Sequence, residues 1–218
     1  MKPAILSWSG GKDSALALYF LNKNEFSLKS LFTTISIKYN RVSMHGIRKE
    51  LLKKQVESIG LPLHLISIPK DVNNEEYGEI MKREMLHFKS KLIKHVVFGD
   101  IFLEDIRNYR EMNLSKVEMK AVFPLWKKNS RYLAEKFIQL GFKAIITSLD
   151  STLLGKSFIG TSFNHDFLNS IPSKIDPCGE NGEFHTFVFD GPIFSEPVPF
   201  VKGEIVFRDN RFYYIDLI

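Results

Sequence analysis

The chain reads as an α/β protein: a domain built on a parallel sheet, followed by a smaller α+β domain. Three observations lead there. A short apolar run, Ala4-Ile5-Leu6, is followed by Ser9-Gly10-Gly11-Lys12-Asp13-Ser14 and then by a helix-like stretch, the order strand, tight loop, helix start. Through the first half, continuous apolar strands alternate with amphipathic stretches, the pattern of a parallel sheet covered on both faces. Beyond the strand at Ala144 to Thr147, Gly, Pro and Asn become frequent and the chain ends in a hairpin pattern. The boundary is expected near residue 128, giving domains 1–127 and 128–218.

The elements follow in order. Leu31 to Ile35 predicts a second strand. Ile47, Leu51, Val56 and Ile59 recur at helical spacing, and Gly60 with Pro62 closes that helix. Leu63 to Ile68 predicts a third strand, and Tyr77 to Leu92 a long helix with one mostly apolar face. His95 to Phe98 is a buried strand ending in a turn at Gly99. Lys120 to Phe123 is a short strand stopped by Pro124. Ser130 is placed to cap a helix carrying Leu133, Phe137 and Leu140 that ends at Gly141. Ala144 to Thr147 and Thr186 to Phe189 predict further strands, and Glu204 to Arg208 with Arg211 to Leu217 a hairpin around Asp209-Asn210. Ligands of open parallel sheets bind beyond the C-terminal strand ends, so the loops at Ser9, Thr34 and Gly99 are expected on one rim.

The Ser9 loop points to phosphate. Backbone N–H groups at a helix start are unpaired and sit at the positive end of the helix dipole. Gly10 and Gly11 allow a sharp turn and close approach. Ser9 and Ser14 add hydroxyls, with Ser14 placed to cap the helix. Lys12 adds a point charge, and Asp13 is a candidate for holding Mg²⁺ beside phosphates. The run is not a Walker A loop, because Asp13 separates Lys12 from Ser14.

A second segment, Asp176 to Thr186, is dense in functional groups. Glu180, Glu183 and His185 are chemically able to transfer protons, bind an amine or ammonium, or ligate metal. They are equally able to serve as a polar turn whose carboxylates cap backbone. Cys178 reads as a packed residue rather than a nucleophile. His45 either touches adenine or ribose or starts the following helix. Trp126 is expected to pack between the domains.

Size and charge set further bounds. The 218 residues are 44% hydrophobic, with 19 Phe, enough for a substantial core. No apolar run reaches the length of a membrane span, so no membrane partner and a soluble, cytoplasmic location are expected. The single cysteine excludes an internal disulfide and a Cys-only zinc or iron–sulfur site within one chain. The net charge of +5 is spread along helices. Solvated helix faces account for it better than a nucleic-acid footprint, and it suits an acidic substrate.

The Ser9 loop resembles the SGGxDS loop of the PP-loop ATP pyrophosphatases. With Gly179-Glu180-Asn181-Gly182-Glu183-Phe184-His185-Thr186, the chain resembles the diphthine–ammonia ligase family of that superfamily. Further matches are Gly99-Asp100-Ile101, Arg107 with Glu111, Pro124-Leu125-Trp126, Leu154-Gly155 and Asp190-Gly191-Pro192. The resemblance implies an adenine nucleotide α-hydrolase-like (HUP/PP-loop) domain followed by a substrate domain. It implies an AMP-forming ligase that uses ATP, Mg²⁺ and ammonia to amidate a carboxylate, the diphthine of elongation factor 2 in the family. Lys12 and the loop N–H groups are then expected to stabilise leaving pyrophosphate. Strand ends near Phe32, Thr33 and Thr34 and around Gly99 and Asp100, with His45, are expected to receive adenosine. Glu180, Asn181, Gly182, Glu183 and His185 are expected on the acyl and ammonia side, with Arg107, Glu111 and Gly155 also in the substrate site. Two rivals are a PP-loop tRNA-modifying enzyme and a nucleotide-binding regulator without turnover. A homodimer is left open.

Overall fold

The computed structural model describes residues 1–42 and 44–218. In chain order the elements are β1 (Lys2–Ser7), α1 (Lys12–Phe20), β2 (Phe26–Ser36), β3 (Arg41–Val42), α2 (Lys49–Ile59), β4 (Leu63–Ile68), α3 (Asn74–Ser90), β5 (His95–Val97), α4 (Glu104–Ser115) and β6 (Lys120–Val122). Then come α5 (Ser130–Gln139), β7 (Lys143–Asp150), α6 (His165–Ser170), β8 (Phe184–Asp190), β9 (Lys202–Arg208) and β10 (Phe212–Leu217).

The first sheet runs β4-β2-β1-β5-β6 with every neighbour parallel, and β3 adds antiparallel to the end of β2. The chain lays β2 and β4 on one side of β1, then returns to lay β5 and β6 on the other. Connections therefore leave β1 and β5 in opposite directions, which opens a crevice beyond their C-terminal ends. The Ser9 loop follows β1 and Gly99 follows β5, so both border that crevice. The contact is tight: a Cβ on Gly99 would lie 2.8 Å from the Asp13 carbonyl carbon and 2.9 Å from its oxygen.

Side-chain alternation along β1 divides the interior. Ala4, Leu6 and Trp8 join one core, and Ile5 joins the other with Phe32, Met85, Phe88 and Leu114. The second sheet, β8-β7-β10-β9, is wholly antiparallel. Its core is aromatic: Phe137 stacks on Phe142 at 4.9 Å, and Phe163, Phe167 and Phe184 continue the cluster. The core of Ala4, Leu6 and Trp8 extends without a break into Phe137, Phe184 and Val188 of this second sheet.

The α/β expectation holds, and several local signals act as their chemistry requires. Gly60 takes a left-handed φ of 75° and donates to Val56 and Glu57 O, closing α2. Asp209 and Asn210 both sit at positive φ, 52° and 48°, in the β9–β10 turn. Three readings need correction. β2 begins five residues earlier than the apolar run, at Phe26, because its first half pairs with β1 while exposing polar side chains. α4 was not expected, since Leu114 is its only buried residue and nothing apolar marks the helix. Asn129, not Ser130, caps α5 by accepting from Tyr132 N at 2.9 Å, while Ser130 Oγ donates to the Asp176 carboxylate. Among the described residues no helix is long and apolar enough to cross a membrane.

Gly99→Ala tests the crevice contact. The added methyl meets backbone that cannot rotate away, so thermal unfolding should show a loss of about 1–3 kcal/mol.

Candidate functional site

The Ser9 loop is fixed from the second sheet. Gly10 turns at φ 81°, and its carbonyl accepts from Val188 N at 2.9 Å and from Gln55 Nε2 at 2.9 Å. Lys12 N donates to Thr186 Oγ1 at 3.0 Å. Gly11 has no room for a side chain, since a Cβ there would lie 2.7 Å from His45 Cε1. Ser9 Oγ accepts from Gly11 N at 3.2 Å. Ser14 does not cap the helix: it lies inside the first turn, where its hydroxyl donates back to Gly11 O at 2.8 Å. Gly11 is the cap residue and makes no side-chain cap bond. The N–H groups of Asp13 and Ser14 find no acceptor among the described residues, which leaves them available to an anion.

Lys12 is only 2% exposed. Its Nζ lies 2.9 Å from Asp13 Oδ2 and 5.3 Å and 5.9 Å from the rings of Phe184 and Phe163. Burial opposes its charge, but Asp13 and the neighbouring acidic groups outweigh that and hold its pKa above the ordinary value. Asp13 is drawn upward by burial against the pull of Lys12. Its Oδ1 is buried without a hydrogen-bond partner among the described residues.

The Glu180 loop separates its two carboxylates by task. Glu183 is 3% exposed. It accepts from Asp176 N, Asn181 N and Asn181 Nδ2, each at 3.0 Å. Those bonds close the loop on itself, with Gly179 and Gly182 at φ 66° and 87° making the bends. Glu180 instead reaches across to the crevice and accepts from Ile101 N at 2.7 Å. Burial, then the nearby Asp13 charge, push its pKa up to about 7, against the Ile101 N–H and Lys12. Asp13, Glu180, Gly99 and the loop N–H groups thus meet at one place.

The rings of His45 and His185 lie against each other, tilted by 40° with centroids 4.6 Å apart, and His45 sits beside Gly11. His45 Nδ1 lies 3.1 Å from Thr186 O. Burial lowers both, His45 to about 4 and His185 well below the ordinary value, so each is neutral near pH 7. His185 Nε2 is buried without a partner among the described residues. Cys178 is buried and its thiol is pushed up to about 12 by burial, leaving it inert as a nucleophile.

Other expected site residues make pairs of their own, Asp100 among them while still within reach of the Asp13 and Glu180 charges. Thr33 is buried and donates to Trp8 O at 2.5 Å, so its hydroxyl spaces β1 and β2; Thr34 is half-buried beside Ile66 on β4. Asp100 pairs with Arg110, Nε to Oδ2 2.7 Å. Arg107 and Glu111 pair with each other at 2.8 Å, with the Arg107 guanidinium 4.6 Å over Trp126. Trp126 is half-buried against these α4 and β6 neighbours; Trp8, 1% exposed, is the tryptophan tied to the second sheet. Gly155 precedes an exposed 3-10 turn, Lys156–Phe158, and its carbonyl accepts from Phe158 N at 3.1 Å. Among the described residues no three His, Cys, Asp or Glu side chains assemble a metal site by themselves.

Gln55 lies outside every motif of the sequence, and Thr186 ends the Gly179–Thr186 motif without a role of its own there. The signal for Gln55 was present: it lies four residues after Leu51 and next to Val56, on the buried face of α2, where a polar residue must have partners.

The Glu183 bonds carry a stability expectation. In Glu183→Gln the amide turns donors toward backbone donors, so thermal denaturation should show a loss of about 1–3 kcal/mol. Unchanged stability would remove Glu183 from the closing of this loop.

Comparisons with known proteins give the chain its relatives. Residues 1–121 match the family model described as the diphthamide synthase N-terminal domain, and residues 129–217 match the diphthamide synthase C-terminal domain. The diphthine–ammonia ligase of Schizosaccharomyces pombe is 24% identical over 217 residues, 91% of this chain and 36% of that protein. The chain thus spans about a third of that relative's length. The diphthine–ammonia ligase of Mus musculus is 25% identical over 230 residues, 91% of this chain and 82% of that protein. A tRNA-5-methyluridine(54) 2-sulfurtransferase from Pyrococcus horikoshii is 35% identical over 80 residues, 36% of this chain and 24% of that protein. With both of its sheets covered by these family models, the chain belongs to the diphthamide synthase family.

Proposed function

We infer that this chain is an ATP-dependent acid–ammonia ligase that forms AMP. The observation that carries the reading is the meeting of an anion-ready loop at the start of α1 with a carboxylate, Glu180, whose pKa is about 7. Two further facts support it: the family membership, and relatives named diphthine–ammonia ligase.

The chemistry divides between the two domains. The N–H groups of Asp13 and Ser14 and the positive end of α1 bind phosphate oxygens. Lys12, kept charged by Asp13, offsets the charge that develops on the leaving pyrophosphate. The acceptor carboxylate attacks the α-phosphorus, the bond to the β-phosphate oxygen breaks, and an acyl adenylate remains. Ammonia then attacks the acyl carbon, and AMP departs with the electron pair of the broken C–O bond. Glu180 takes the proton that the nitrogen sheds, a task suited to a carboxylate that titrates near neutrality. The unpartnered Asp13 Oδ1 fits Mg²⁺, which takes few protein carboxylates and completes its shell with phosphate and water; bound there, it would neutralise phosphate charge. The acceptor is the diphthine carboxylate of elongation factor 2.

Incubation with ATP, ammonium and elongation factor 2 carrying diphthine, read by mass spectrometry, should yield AMP, pyrophosphate and an amidated acceptor. ADP and phosphate as products would overturn the reading. Turnover should rise with pH through about 7, because the deprotonated Glu180 is the active form. Glu180→Gln should remove that limb and slow turnover by about 10²–10⁴-fold; a retained limb would assign it to another group.

A further inference from the structure

Gln55 is fully buried and uses both amide hydrogens and one lone pair of its carbonyl oxygen. Its Oε1 accepts from Trp8 Nε1 at 2.7 Å. Its Nε2 donates to Gly10 O at 2.9 Å and to Val188 O at 2.6 Å. The orientation of the amide is not ambiguous: indole N–H is only a donor and a backbone carbonyl only an acceptor. One donor and two acceptors converge on one point, and among side chains of this length only a primary amide answers all three.

The bond to Gly10 has a directional effect. In a trans peptide the carbonyl and the following N–H point to opposite sides. The Gly10 carbonyl is drawn toward Gln55 and Val188 N. The Gly11 N–H is thereby turned the other way, toward Ser9 Oγ and the loop interior. Glycine at φ 81° has no side chain to hold that peptide plane, so the plane is set from outside.

We propose that Gln55 is the positioning residue of the phosphate loop: it fixes the Gly10–Gly11 peptide plane at the entry to α1, so that the N–H groups that follow, of Asp13 and Ser14, face the phosphates of ATP. The proposal rests on the nucleotide-binding role inferred above and adds a residue of α2 that does not touch the ligand. It also makes loop geometry depend on the second sheet, since the same amide group holds Val188 O.

Titration calorimetry with ATP and Mg²⁺ tests it on the full chain. Gln55→Leu should weaken ATP binding by about tenfold or more, the loss expected when Trp8 Nε1 is left buried without its acceptor and Gly10 O keeps only Val188 N to hold it. Gln55→Glu separates positioning from simple packing. As a carboxylate it faces two carbonyl oxygens and should weaken binding at pH 8; protonated at pH 5.5 it regains a donor, and affinity should return to within about threefold of wild type measured at the same pH. Trp8→Phe, which removes the donor that orients the amide, keeps the test open if a Gln55 variant fails to fold, and should also weaken binding. Variants that bind ATP like wild type, or a Gln55→Glu affinity that does not recover on acidification, would overturn the proposal. Wild-type protein that gives no heat with ATP would instead remove the nucleotide reading on which it stands.

Discussion

The Gly10 carbonyl, shared between Val188 N and Gln55 Nε2, is the contact on which the site depends. A loop of Ser, Gly and Gly buries almost nothing and has no rigidity of its own. Its shape is imposed by the strand it touches. β8 contributes two anchors to the loop, Thr186 Oγ1 and Val188 N, two residues apart so that both face the same side, while Thr186 O holds His45 beside it. The second sheet is therefore a support of the Ser9 loop as well as a platform for the Glu180 loop.

Burial then sorts chemically similar residues into different tasks. Glu180 and Glu183 are three positions apart. Glu183 has its oxygens filled by three donors of its own loop. Glu180 has two backbone donors, Ile101 and the more distant Phe102 N, and shares its surroundings with the Asp13 charge. One carboxylate is spent on shape and the other remains able to exchange a proton. The same logic governs the bases: His45 and His185 are kept neutral by desolvation while Lys12, equally buried, is kept charged by an adjoining carboxylate.

The parts legible in the sequence are those whose cause is local. The strand–loop–helix at Ser9, the closure of α2 at Gly60 and the turn at Asp209-Asn210 follow from backbone preferences of few residues. The Leu63–Ile68 strand follows from its apolar run. What escaped is decided by partners distant in sequence. α4 is mostly polar on both faces, so no periodicity announces it. Ser14 and Ser130 are good caps by type, yet each hydroxyl finds another acceptor, Gly11 O and the Asp176 carboxylate. Gln55 looks like one more polar residue of a surface helix until Trp8 and Val188 are brought to it from 47 and 133 positions away. Glu183 is open in the sequence between proton chemistry and the capping of a turn, and its three donors show that it closes the loop.

Trp8, Leu16, Phe137, Phe142 and Val188 belong to a single continuous hydrophobic cluster, although two separate family models divide the chain between its sheets. Neither half owns a complete interior. A fragment cut between the two would bare the aromatic flank of α1 to water and strip Gly10 of its strand-borne donor, so excision would yield a sticky polypeptide with an unsupported Ser9 loop. Melting should likewise proceed as one cooperative collapse, with no stage at which an isolated half survives.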